Sequence, residues 1–349
     1  MIAYTAGIVE TPRHRTAWIE AGPADGPLMI FIHGWPELGI VWRRQLDHFG
    51  ALGWRCIAPD MRGYGKSSVP ADSNAYAVRE LVADMVELHD ALGGAPAVWV
   101  GHDWGSPIVW AMAAHHAERC RGVVSLCVPY FARGFGIRDA MPLIDRTIYP
   151  IDRYPAGQWD YFLFYAENAE QAARDFEADV GASIALLFRS GTPDAIGKPS
   201  ITASVRANGG WFGPAHRAPQ LPRDPAVLSE EDYETLVEAF TRNGFTGPDA
   251  WYLNGRANAE HAEEAPNHGK LGLPVLFVHA AWDNVCDTVL TRFADPMRAD
   301  CSDLSEAVVD AGHWVAQERA AEVNAAIDNW LTAKNIEQPA RLPTRRPAG

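Results

Sequence analysis

The chain has 349 residues, a formal charge of −14 from 30 basic and 44 acidic residues, and 48% hydrophobic residues. At about 150 residues per domain, this length calls for two domains in series or for one domain enlarged by an insertion. The acidic balance speaks against a nucleic-acid-binding face and against docking on anionic lipid, and 21% charged residues is an ordinary globular composition without long disorder.

The five cysteines (Cys56, Cys120, Cys127, Cys286 and Cys301) form no CxxC pair, so neither a zinc site nor a disulfide framework is expected. The first residues, MIAYTAGIVETPRHR, hold no apolar signal-peptide core. No apolar run approaches the ~18 residues of a membrane span. These features predict a cytoplasmic protein.

Along the chain, residues 2–10 and 15–20 are expected to pair antiparallel at a sheet edge. Short apolar runs then follow at 28–33 (LMIFIH), 54–59 (WRCIAP), 97–102 (AVWVGH), 123–128 (VVSLCV), 274–280 (PVLFVHA) and 304–310 (LSEAVVD). They lack clean alternation, as strands covered on both faces do. Helical stripes separate them, notably Val78, Leu81, Val82, Met85, Leu88 and Leu92, ended by Gly93-Gly94, and another across 314–333. Alternating strands and helices predict a mainly parallel sheet. From 130 to 270 the alternation stops in favour of aromatic, proline- and glycine-rich sequence with helical pieces at 159–178 and 229–241. This is the profile of an insertion. The expected division is a core of 1–129 and 271–334, an inserted lid of 130–270, and a flexible basic tail of 335–349.

The chemistry centres on Gly101-His102-Asp103-Trp104-Gly105, between a strand and a helix. Small residues on both sides of a central residue permit a sharp strand-to-helix turn that lifts the central side chain above the sheet, as in the GxSxG nucleophile elbow. Here that residue is Asp103. The plain alternative is a helix-capping aspartate. His33-Gly34-Trp35-Pro36-Glu37 follows an earlier strand and can offer the Trp35 backbone N–H to an oxyanion, with the Trp104 N–H as second donor; His33 reads as structural. Asp283 and His313 each follow a later strand, which completes the order nucleophile, acid, histidine of α/β-hydrolases. Asp287 competes with Asp283, which stands nearer the strand end. Gly65-Lys66-Ser67 imitates the end of a phosphate loop, but Asp60 occupies the first glycine position and would repel phosphate; 60–67 reads as a structural loop. His115-His116 reads as surface.

A carboxylate nucleophile decides the reaction type. Aspartate titrates near ~3.9 in water and needs no base to attack. Attack on an ester would yield an anhydride, whereas attack on saturated carbon yields a stable alkyl ester that water can hydrolyse. Alkyl halides and epoxides both fit, and an opening epoxide additionally needs a proton donor. Tyr161, in WDYFLFY, and Tyr252, in WYLN, are the candidates within the insertion.

With these residues in place, the chain resembles the α/β-hydrolase-fold soluble epoxide hydrolases over roughly residues 4–331. The resemblance is carried by HGWPE (33–37), DMRGYGKS (60–67), GHDWGS (101–106), WDYFLFYAE (159–167), GFTGPDAWYLN (244–254) and AGHWVAQE (311–318). It implies Asp103 as nucleophile, His313 as base, Asp283 as its orienting acid, and Tyr161 and Tyr252 as proton donors gripping the epoxide oxygen. Trp35 and Trp104 would supply the oxyanion hole. Trp159 and Phe162 are pocket candidates on weaker grounds. The implied reaction takes a small-molecule epoxide and water to a vicinal diol through a hydroxyalkyl ester on Asp103, with no metal, no organic cofactor, and no nucleic-acid or membrane partner. The rival readings are a haloalkane-type dehalogenase using the same aspartate and a non-catalytic binding protein of this fold. A homodimer is compatible with the sequence, which does not specify oligomeric state.

Overall fold

A computed structural model describes residues 4–336. Most of the expected tail, from residue 337, lies outside the described residues, as do residue 1 and the first two residues, 2 and 3, of the first expected strand. Eight strands form one sheet: β1 (Thr5–Glu10), β2 (Arg15–Ala21), β3 (Leu28–Ile32), β4 (Arg55–Pro59), β5 (Ala97–His102), β6 (Cys120–Leu126), β7 (Val275–Ala280) and β8 (Leu304–Val309). Their order is β1-β2-β4-β3-β5-β6-β7-β8. β1 and β2 are antiparallel, as is β2 to β4, and every pairing from β4 through β8 is parallel.

The apolar runs become strands because both sheet faces are covered. β3, β5 and β7 are buried along their whole length. β8, at the edge, is half-exposed. Helices α1 (Arg43–Ala51), α2 (Val78–Ala91) and α3 (Gly105–His115) cross over between strands. The crossover from β3 to β4 runs one way along the sheet and that from β5 to β6 the other. Right-handed crossovers in opposite directions put their helices on opposite faces. The strand order therefore reverses between β3 and β5, and such a switch point opens a crevice at the strands' carboxyl ends. The loops bearing Trp35 and Asp103 leave β3 and β5 at that crevice.

The turn after β5 is tight. Asp103 has a left-handed backbone, with φ 49°, unusual for a residue with a Cβ. A Cβ on Gly101 would lie 2.5 Å from the Gly105 carbonyl oxygen, and one on Gly105 would lie 2.1 Å from the Ile32 carbonyl oxygen. Both flanking glycines are thus required by close backbone approach.

Between β6 and β7 there is no strand among the described residues, only helices, including Asp160–Glu177, Val180–Leu187 and Glu230–Asn243. The last is started by Ser229, whose side chain accepts from the Asp232 N–H, and three acidic residues fill its first turn, favourable at the positive helix end. Three features differ from the sequence expectation. β6 begins at Cys120 and stops at Leu126, because Cys127 adopts φ 68°, which no strand can continue. The stripe over 314–333 is two helices, Val315–Glu318 and Ala320–Ala333, broken at Arg319. His115 is not a free surface residue: its ring stacks on His261 at 4.0 Å and 7°. The loop from Asp60 is structural, with the Asp60 carboxylate accepting from the Gly39 and Lys66 N–H groups.

Candidate active site

Four loops at the carboxyl ends of β3, β5, β7 and β8 bring the predicted residues together. The Asp103 carboxylate accepts the Trp35 backbone N–H through Oδ1 at 2.7 Å. Its Oδ2 lies 3.5 Å from His313 Nε2. On the other side of the ring, His313 Nδ1 donates to Asp283 Oδ2 at 2.7 Å. The remaining Asp283 oxygen accepts the Val285 and Cys286 N–H groups at 2.9 and 3.1 Å. Asp287 instead caps the following turn, accepting from Val289 and Leu290; the histidine's carboxylate partner is Asp283.

The electrostatics follow from this arrangement. Burial disfavours a charged His313, but the charge of Asp283 and the hydrogen bonds to Asp103 and Asp283 outweigh it and hold its pKa well above the usual histidine value. Burial also works against an ionised Asp283, yet the His313 charge and the donors around it keep its pKa below the ordinary carboxylate range. The arrangement thus favours the protonated form of the ring, which lies between Asp283 and Asp103.

A second buried pair, which the sequence reading quoted within its motifs but gave no role, braces the three loops. Glu37 and His102 are about 1% exposed. His102 Nδ1 donates to Glu37 Oε2 at 3.0 Å and Nε2 donates to the His313 carbonyl at 2.8 Å. Glu37 also accepts the Gly34 N–H at 2.8 Å and the Gln317 side chain at 3.0 Å. Burial opposes charge on His102, but Glu37 overrides it, and the pKa is pushed up to about 10. One ion pair thus ties the loop of Trp35 to the strand that leads into Asp103 and to the backbone of His313. His33 is structural, accepting the Met61 N–H at 2.9 Å.

Above the carboxylates lies an aromatic roof from the insertion. Tyr161 sits in the first turn of Asp160–Glu177, where Asp160 is held by the Arg206 side chain at 2.8 Å. Tyr252 sits in the turn Ala250–Leu253. Their rings are 5.6 Å apart, and Tyr252 packs edge-on against Trp104 at 5.2 Å and Trp35 at 6.0 Å. Burial above all, then neighbours such as Asp103, raises both phenol pKa values well above 10, so both hydroxyls keep their protons. Phe162 fills the space between Trp104 and the tyrosines, at 6.1 Å from Trp104 and 5.1 Å from Tyr252. Trp159 stands one layer behind, against Phe162, Phe135 and Phe293.

Among the described residues, two groups have metal-ligand types within 4.8 Å of one another, His102–Cys127–His313 and Asp283–Cys286–His313. Both share His313, whose Nδ1 already donates to Asp283, and both His102 nitrogens are committed as donors.

Replacing Asp283 by Asn removes the largest influence that favours the charged ring. Because that carboxylate stabilises the imidazolium, its loss must lower the His313 pKa. Nitrogen-15 NMR titration of the histidines checks this; a His313 that keeps its proton as far up the pH scale as in the wild type contradicts the assignment.

Comparison with known proteins agrees with the geometry. Residues 27–184 match the family model described as alpha/beta hydrolase fold. Epoxide hydrolase A of Mycobacterium tuberculosis is 34% identical over 96% of this chain and 100% of its own length. The bifunctional epoxide hydrolase 2 of Sus scrofa is 31% identical over 95% of this chain, which spans 55% of that longer protein. Among solved structures, an epoxide hydrolase from an endophytic Streptomyces has a TM-score of 0.77 at 30% identity, covering 95% of this chain and 96% of its own. Epoxide Hydrolase A from Mycobacterium thermoresistibile gives 0.76 at 30% identity, covering 95% and 98%. Relatives at 30% identity or more cover nearly all of this chain, and one of them is itself matched over its whole length, so the chain belongs to the epoxide hydrolases of the α/β-hydrolase fold.

Proposed function

We propose that Asp103, His313, Asp283, Tyr161 and Tyr252 carry out epoxide hydrolysis in two steps, on an epoxide held between a core of 1–129 and 271–334 and a lid of 130–270. The observation that carries this reading is the pair of unequal contacts on Asp103. Oδ1 is taken by the Trp35 N–H at 2.7 Å, while Oδ2 faces His313 at 3.5 Å. The oxygen held by Trp35 is the carbonyl oxygen of the future ester, and the other one attacks.

In the first step Tyr161 and Tyr252 hydrogen-bond the epoxide oxygen. Asp103 Oδ2 displaces it from one ring carbon, the C–O bond breaks, and a tyrosine proton passes to the new alkoxide. The product is a hydroxyalkyl ester on Asp103. Ester formation removes the negative charge of Asp103 beside His313. With one of its two carboxylates gone, the imidazolium is less stabilised and its pKa falls, so the ring yields its proton to the tyrosinate left by the first step, through solvent, and becomes a base. In the second step His313 takes a proton from water, and hydroxide adds to the Asp103 carboxyl carbon. The Trp35 and Trp104 N–H groups receive the oxyanion, a contribution typically worth ~10²–10³ in rate per donor. Collapse expels the diol alkoxide, which takes the proton of the newly formed Asp103 carboxyl group, and the cycle ends with the Asp103 carboxylate, a protonated His313 and both tyrosine hydroxyls restored. Phe162, and Trp159 behind it, give the carbon skeleton an apolar aromatic wall.

The enzyme is also proposed to work in a reducing cytoplasm. All five cysteines are unpaired, and no helix among the described residues is long and apolar enough to cross a membrane. Recovery of the enzyme from an oxidising compartment on cell fractionation would contradict this.

His313→Gln is expected to leave alkylation intact and stop hydrolysis. Intact-protein mass spectrometry after addition of styrene oxide should show an adduct on Asp103; a turned-over substrate with no adduct would reject the two-step route. Tyr161→Phe is expected to slow ring opening, and loss of both tyrosines to slow it by roughly 10²–10⁴. A double variant with wild-type alkylation rates would remove the tyrosines from the mechanism.

A further inference from the structure

The two-step mechanism gives no role to the buried acid Asp249. Asp249 is 1% exposed and ends the helical turn Thr246–Asp249, which runs directly into the turn of Tyr252, Ala250–Leu253. Its Oδ1 accepts the Trp35 indole N–H at 2.9 Å, a bond between residues 214 positions apart that joins the insertion to the loop after β3. Its carboxyl group also interacts with the buried Tyr165 hydroxyl. The Tyr165 ring in turn stacks on Tyr252, at 4.4 Å and 11°.

Trp35 therefore has two hydrogen bonds with different duties. Its backbone N–H meets the nucleophile, and its side-chain N–H meets Asp249. The indole is also enclosed by Tyr165, Phe176, Trp211 and Tyr252. An apolar residue at 249 would leave a buried N–H without an acceptor, which generally costs more than the hydrogen bond itself contributes. Burial, first of all, holds the Asp249 pKa well above the usual carboxylate range.

We propose that Asp249 is a positioning residue that sets the spacing between the oxyanion donor and the proton donor, gripping Trp35 from the insertion while its own turn carries Tyr252. This inference rests on the roles proposed for Trp35 and Tyr252. It predicts that losing the acceptor lets the Trp35 loop shift against Asp103, so that hydrolysis of the ester slows although every catalytic group is present.

The test is single-turnover kinetics on purified full-length enzyme with styrene oxide, following ester formation and ester decay separately. Asp249→Leu should slow ester decay about tenfold, short of the roughly hundredfold that an ångström of misplacement can cost. Asp249→Asn keeps an acceptor and should restore decay to within about threefold of wild type. Trp35→Phe keeps the backbone N–H but removes the indole N–H. It should slow the same step by a similar factor, and the Leu–Phe double variant should be no slower than either single one. Wild-type decay in a folded Asp249→Leu overturns the proposal. Where Asp249→Leu does not fold, wild-type decay in Trp35→Phe overturns it instead. An Asn variant as slow as the Leu variant also overturns it. Ester that forms and decays normally in these variants defeats this inference alone, whereas a wild-type enzyme that never forms the ester defeats the mechanism beneath it.

Discussion

His313 stands between two carboxylates, 2.7 Å from Asp283 and 3.5 Å from Asp103, and the chemistry turns on that asymmetry. Asp283 is a permanent partner, buried and fixed by two backbone N–H groups. Asp103, in the mechanism proposed, is a partner only until it becomes an ester. Under the proposed mechanism the base is therefore switched on by the reaction itself. While Asp103 is free, the ring keeps its proton and leaves the nucleophile charged. Once Asp103 is alkylated, the same ring is less basic and can deliver a proton elsewhere. No movement of the histidine is required, only the loss of one neighbouring charge.

Holding three loops still enough for this is a backbone problem, and the fold meets it in two ways. The reversal of strand order between β3 and β5 separates the helices that follow, so the loops with Trp35 and Asp103 face one crevice. The buried Glu37–His102 pair then locks those loops to the carbonyl of His313. Isolated charges at this depth would be costly, and pairing with full hydrogen bonding is what permits them. In this setting His102 shapes the backbone, while the His313 ring, 4.8 Å away, is the one that the proposed mechanism has exchanging protons.

Much of this was legible in the sequence because it depends on local pattern. Apolar runs of five or six residues announce buried strands, and paired glycines around Asp103 announce a turn that tolerates no Cβ. The order Asp103, Asp283, His313 is a one-dimensional record of where strands end. Other features depend on contacts between distant positions. Glu37 and His102 are 65 residues apart and Trp35 and Asp249 are 214 apart. An acid beside GPxxWY or after HGWP reads as surface charge until the fold buries it. Cys127 looked like the interior of a strand, since nothing in its residue type foretells a left-handed φ. His115 looked solvated, because its partner His261 comes from the insertion. The sequence pattern did point to the two roof tyrosines, since each lies in a dense aromatic segment, but it could not show that Phe162 faces them while Trp159 stands behind.

The central claim is that water attacks the enzyme's own ester and never the epoxide. A single turnover in ¹⁸O-labelled water, with enzyme in excess over styrene oxide, measures this directly. The diol should emerge unlabelled, carrying one oxygen from the epoxide and one from Asp103, and the label should appear in the peptide containing Asp103. Label in the diol of that first turnover, with none in the Asp103 peptide, would contradict the account.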